Sequence, residues 1–195
     1  MLTITQVRRP RITVQPTTEP VTIHEAKRAC NLAVSDTTHD VKLASHIQSA
    51  REQFEHDTSI YLIKRTVTLS VDVLDEFQFP HKPINSITSV TYYDSGNTSQ
   101  TLSSSLYQLD AANGQFRLSY NQTWPGIADR WDAVTFTYVL GNDDDSTSVE
   151  SWVKRAILLL VANEFEQPDM MSPEYTQRQT AYERLITRFM RSTYP

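Results

Sequence analysis

Seven consecutive apolar residues, Ala156–Ala162, lie inside the segment Trp152–Glu166, WVKRAILLLVANEFE. At about 100° per residue, seven successive helical positions go all the way round the axis. A helix that is apolar on every side is normally buried among other elements. The run falls far short of the roughly 20 residues a bilayer crossing needs. Lys154, Arg155, Asn163 and Glu164 flank it and favour a protein core. The expectation is a core helix in which Leu159→Ala or Leu160→Ala each costs about 2–5 kcal/mol.

A chain of 195 residues accommodates one domain, or a core with an inserted subdomain, and needs no disulfide or metal to bury a core. Its single cysteine, Cys30, excludes an intramolecular disulfide and reads as a small buried apolar residue. A formal charge of −5 gives no whole-chain case for nucleic-acid binding. Residues 1–20 lack the apolar stretch of a signal peptide and carry Arg8, Arg9 and Arg11 in a Thr/Pro-rich run. They read as an extended N-terminal arm. The expectation is a soluble, intracellular product with no membrane partner.

Helix signals begin at Thr22–Glu25, which has the spacing of a capping box, with a short helix to about Leu32. From Asp40, Leu43, Ile47, Ala50, Phe54 and Tyr61 fall on one stripe, with Val41 and Ala44 beside it and Glu52, Glu55 and His56 opposite. At Lys64 the period changes to 2. Val67, Leu69 and Val71 alternate with Thr66, Thr68 and Ser70. Short strands are expected near Phe77–Pro80, Ile87–Tyr92, Tyr107–Asp110, Gln115–Ser119 and Val134–Val139. Turns fall at Asp94–Asn97 and Asn113-Gly114. Frequent turns between short strands favour an antiparallel meander. After the apolar helix, Ser172-Pro173 restarts a final helix whose stripe is Tyr175, Tyr182, Leu185, Ile186 and Phe189. Arg184, Arg188 and Arg191 gather opposite. The predicted class is α+β: helical blocks at 21–63 and 142–195 enclose a β block at 64–141.

Chemistry is hard to place on this chain. Five histidines show no metal-ligand spacing, and no HExxH or Cys/His cluster occurs. Asp143–Asp145 lacks the glycine and distal glutamate of a calcium loop. Four glycines supply no phosphate-cradling loop, and no serine sits in a nucleophile elbow. Enzymatic function, a resident metal and a cofactor are therefore not expected. Two basic features remain, the Arg8–Arg11 arm and the arginine face of the last helix. They leave open contact with nucleic acid or with an acidic protein surface.

An ordered set of segments carries a resemblance. It runs Val21–Lys27, Ile47–Glu55 ending in Thr58–Leu62, Pro83–Tyr92, Trp124-Pro125, Val134–Gly141 and Ala156–Ala162. In this order they resemble the head–tail connector (adaptor) proteins of long-tailed double-stranded DNA phages and gene transfer agents, in the longer branch with an inserted β subdomain. Ser59 stands where that family usually has glycine. The resemblance implies a helical core of two N-terminal and two C-terminal helices and an antiparallel β insertion. It also implies a non-enzymatic homo-oligomeric ring, usually of twelve copies, beneath the portal protein in the virion neck, made in the host bacterial cytoplasm. Such a ring extends the channel for double-stranded DNA, without sequence-specific binding, and is the platform for a stopper or tail-completion protein. Portal contact by the C-terminal helix would fall on Tyr182, Arg184, Arg188, Phe189, Arg191 and Tyr194. The alternative is a DNA-binding packaging or completion factor acting through the basic arm and that helix.

Overall fold

A computed structural model describes residues 10–166 and 173–193, with side chains through Arg188. The chain divides into two compact units. One comprises Ile63–Asn142 with the N-terminal stretch through Pro16; the other comprises Thr17–Leu62 with the chain from Asp143 onward.

Among the described residues the first unit is built from eight antiparallel strands: β1 (Arg11–Val14), β2 (Arg65–Val71), β3 (Phe77–Gln78), β4 (Ile84–Tyr93), β5 (Ser99–Thr101), β6 (Tyr107–Asp110), β7 (Gln115–Leu118) and β8 (Val134–Leu140). Five of them form a sheet in the order β1-β2-β8-β4-β5, and three form a second sheet, β3-β7-β6. The expected meander holds for the β4–β5 and β6–β7 hairpins but not for the centre. There β2 pairs with β8 across more than sixty residues, with Leu69 opposite Phe136 and Val67 opposite Tyr138. Both strands alternate buried and half-buried residues along their whole length, so pairing them side by side seals one apolar face. Arg11–Val14, which the sequence marks only as an extended arm, adds an exposed edge strand to β2.

Aromatic rings fill the core of this unit. Phe136 meets Phe77 and Phe116 at 5.0 Å between ring centroids, Phe79 meets Tyr138 at 4.7 Å, and Trp124 stacks on Phe116 at 5.5 Å. Edge-on and offset rings of this kind add to area burial. At the β4–β5 hairpin, Asp94 Oδ1 accepts bonds from the amides of Gly96 and Thr98, both at 3.0 Å, and Asn97 takes the left-handed conformation.

Among the described residues the second unit holds four helices: α1 (Ile23–Ala29), α2 (Asp40–Thr58), α3 (Ser151–Glu166) and α4 (Pro173–Thr193). The capping box on α1 is complete, with Glu25 N donating to the Thr22 hydroxyl and Thr22 N to Glu25 Oε2. The helix stops three residues before the expected Leu32. Asn31 turns left-handed at φ 55°, while Leu32 N reaches Lys27 O at 2.8 Å and Asn31 N reaches Arg28 O at 3.2 Å. That pair of bonds closes the last turn as a Schellman cap. Ser59 caps α2 at φ 56°, in the left-handed region that glycine adopts without strain. Tyr61 therefore lies beyond the helix rather than on its stripe. Pro173 opens α4. Pro168 and the expected N-cap Ser172 lie outside the described residues.

Leu43, Ile47, Ala50 and Phe54 are buried as their spacing predicts, but two assignments around them change. Val41 is 88% exposed, and Glu55, expected on the polar side, is buried. Glu55 sits inside because Arg51 does. The Arg51 guanidinium is bonded to Glu19 at 2.8 Å and to Glu55 at 3.2 Å, and Glu55 also accepts from Leu62 N at 3.3 Å. A buried charge is tolerable only when paired and hydrogen-bonded in this way. Lys27, 2% exposed, likewise donates to Val34 O and pairs with Asp40 at 2.6 Å.

The apolar helix α3 packs on α2 as expected. Its Glu164 accepts from Ser49 and meets His46 at 2.8 Å, and its Trp152 ring lies 6.1 Å from that of Phe54. Burial on all sides is not what forms. Ile157, Leu160 and Val161 are buried, whereas Leu158 and Leu159 are half-exposed. Three neighbours, α1, α2 and α4, cover three sides of α3 and leave a fourth open.

Two outcomes follow for urea unfolding. Leu160→Ala should cost about 2–4 kcal/mol through the cavity it leaves, and Leu159→Ala distinctly less. Ser59→Gly should stabilise by about 1 kcal/mol, because it removes a left-handed L-residue.

Candidate functional site

Two surfaces on the helical unit carry side chains that its folding does not use. The first is the outward face of α4. Arg184 and Arg188 are exposed there and line an open depression with Thr180, Glu183 and Thr187. Neither arginine has an ion pair among the described residues. Tyr182, expected beside them as a contact, faces the other way. Its ring is 1% exposed and its hydroxyl donates to Asp57 Oδ2 at 2.9 Å. Burial, then the Asp57 carboxylate, push the phenol far above its ordinary pKa, so it remains a donor throughout the working pH range. Tyr182 thus ties α4 to the end of α2, which leaves the arginines on the free side. The side chains of Phe189 and Arg191, and Tyr194 altogether, lie outside the described residues.

Polar bonds also attach α4. Arg178 donates to Ala162 O at 2.9 Å and pairs with Glu166, and Asn163 donates to Tyr175 O at 3.4 Å.

The second surface is the open side of α3. Ala29, Arg155, Leu158, Leu159 and Ala162 line a shallow groove rimmed by Lys154 and Arg178. Lys154 is held by Glu25 at 2.9 Å and Arg178 by Glu166, whereas exposed Arg155 has no ion pair among the described residues. Periodicity could not reveal this groove. A run of seven apolar residues points in every direction, so it carries no information about which side lacks a neighbour.

The remaining candidates have structural roles. Cys30 is buried, and burial together with the Glu166 charge pushes its thiol up to about 11, which keeps it protonated and unreactive at neutral pH. Asp145 accepts from Thr147 and shapes the turn before α3. Arg11 lies on the exposed edge strand, and Arg8 and Arg9 are outside the described residues. Among the described residues no group of three or more His, Cys, Asp or Glu is placed to hold a metal ion, and no helix is long and apolar enough to cross a membrane. The two surfaces present exposed arginines, a residue type enriched at protein interfaces, beside half-buried leucines.

No protein-family profile and no curated protein sequence matches the chain. Solved structures do. A chain from the neck of an empty gene transfer agent (GTA) particle, computed with C6 symmetry, superposes with a TM-score of 0.72 at 15% identity, covering 88% of this chain and 95% of that one. A chain from the virion of a native GTA particle gives 0.73 at 16% identity, covering 93% and 94%. A chain from the neck of a native GTA particle, computed with C12 symmetry, gives 0.62 at 16% identity, covering 91% and 94%. The likeness extends over almost the whole of both chains, so the α+β architecture, β unit included, is a shared fold.

The two faces of α4 separate in a stability assay. Tyr182→Phe should lower the unfolding free energy by about 1 kcal/mol through the lost Asp57 bond. Arg184→Ala and Arg188→Ala should each stay within about 0.5 kcal/mol of the parent.

Proposed function

We propose that this chain is a structural head–tail connector of a phage or phage-like particle, a ring-forming neck protein seated beneath the portal. One observation carries the reading. The fold matches chains of GTA necks and virions over about nine-tenths of its length, at TM-scores up to 0.73. The C6 and C12 symmetries of the matched necks support a cyclic assembly of copies. In this reading the ring continues the DNA channel and offers the next neck protein, a stopper or tail-completion protein, its platform. The helices act as the rigid frame, and the exposed arginines of α4, with Phe189, Arg191 and Tyr194 beyond them, dock onto the portal. Tyr182 holds that helix in position. The unit divisions at 63 and 142 then separate a helical ring-forming part from a β part that meets other neck components.

Mixing the purified chain with portal particles should give a neck ring visible by electron microscopy. Arg184→Glu/Arg188→Glu should weaken portal binding by about tenfold or more without changing the melting temperature. Persistent monomer with no portal binding defeats the proposal. The same double variant addresses the second reading, that of a DNA-binding completion factor, which Arg184 and Arg188, exposed and without an ion pair among the described residues, favour. In that case the parent binds duplex DNA with a steep salt dependence, and the variant loses both affinity and slope.

A further inference from the structure

We infer that the open side of α3 is one half of a head-to-tail contact whose other half is the outward stripe of α2 on the next copy of this chain. The inference rests on the ring reading above and specifies which faces close the ring. In a cyclic assembly the contact is heterologous: two different patches of one subunit meet their complements on its two neighbours. The two patches must also lie nearly back to back, about 150° apart for twelve copies and about 120° for six.

The helical unit has such a pair of faces. Around α3, Glu164 marks the side held by α2, and Ala162, two residues away, lies about 200° round the axis on the groove side. Around α2, the positions directed away from the packed stripe are Val41, Ser45, Gln48, Glu52 and His56, and all five are exposed. With α2 on one flank of α3 and the groove on the other, the two faces sit on opposite sides of the same unit.

The chemistry of the two faces is complementary. The groove presents Leu158 and Leu159, half-exposed, beside an unpaired Arg155. The stripe presents Val41, 88% exposed, together with Glu52, whose side chain accepts from Gln48 at 3.0 Å and lies 3.6 Å from Arg51 yet stays 59% exposed. Ser45 and Ala44 are small enough to let a second helix approach closely. A helix stripe set into a groove between helices is a common mode of recognition. Burying Leu158 and Leu159 under Val41 removes apolar surface from water, and the exposed part of the Glu52 carboxylate, shared with Arg51, offers Arg155 an opposite charge.

Cross-linking tests the pairing. In a Cys30→Ala background, chains carrying both Leu159→Cys and Ser45→Cys are assembled on portal and treated with a short bismaleimide. The expected result is a ladder of covalent oligomers on a denaturing gel, with each single-cysteine variant staying monomeric. Dimers from Leu159→Cys alone would mean that groove meets groove, and rings that form without a ladder would place the contact elsewhere; either result overturns the inference. As a second arm, Arg155→Glu and Glu52→Arg should each reduce ring yield about tenfold, and the double variant should recover most of it. A double variant no better than the singles also overturns the pairing. If the unmodified chain forms no ring on portal, the ring reading itself fails, and this inference with it. That outcome is distinct from rings that assemble but do not cross-link.

Discussion

The helical unit depends on one long-range constraint: α3 must land on α2, from which it is separated by more than ninety residues of chain. Neither helix can form its half of the core alone. The stripe of Leu43, Ile47, Ala50 and Phe54 on α2 is buried, as are Ile157, Leu160 and Val161 on α3, and the two helices pack together with only the short α1 as a sequence-local neighbour. Ordering the intervening chain carries an entropic cost that grows only slowly with loop length, so a β insertion between the two helices is tolerated thermodynamically. The polar lock at the far end, His46 and Ser49 on Glu164, fixes how α3 lies along α2.

Buried charges pin the connecting segments to that core. Arg51 holds the Glu19 segment that leads into α1 and, through Glu55, the Leu62 amide that leaves α2. Lys27 secures the turn between α1 and α2 through Val34 and Asp40. Such groups contribute little net stability compared with apolar substitutes, but breaking one partner leaves a charge stranded in the core. They tie the ends of the unit to defined positions.

Once those demands are met, two surfaces of the helical unit remain uncovered. Tyr182 and Arg178 consume the inner face of α4, so the outer face is left with Arg184 and Arg188. Helices α1, α2 and α4 occupy three sides of α3, so the fourth keeps Leu158 and Leu159 half in solvent.

Much of the architecture was legible from residue order. The period-2 run at Arg65–Val71, the turn at Asp94–Asn97, the capping box at Thr22 and the break at Gly141 are local signals, set by side-chain alternation and backbone preference within a few residues. The left-handed cap at Ser59 could be anticipated from the glycine usual there. What residue order left open was neighbourhood. It could not say that β2 pairs with β8, that Arg11–Val14 joins a sheet, that Glu55 turns inward to meet Arg51, or that Tyr182 points at Asp57. The sequence by itself determined that Ala156–Ala162 would be a helix too apolar to stand in water. Only the tertiary structure decided which side stays uncovered, because a seven-residue apolar run is uniform around its axis and the asymmetry comes from the helices packed against it.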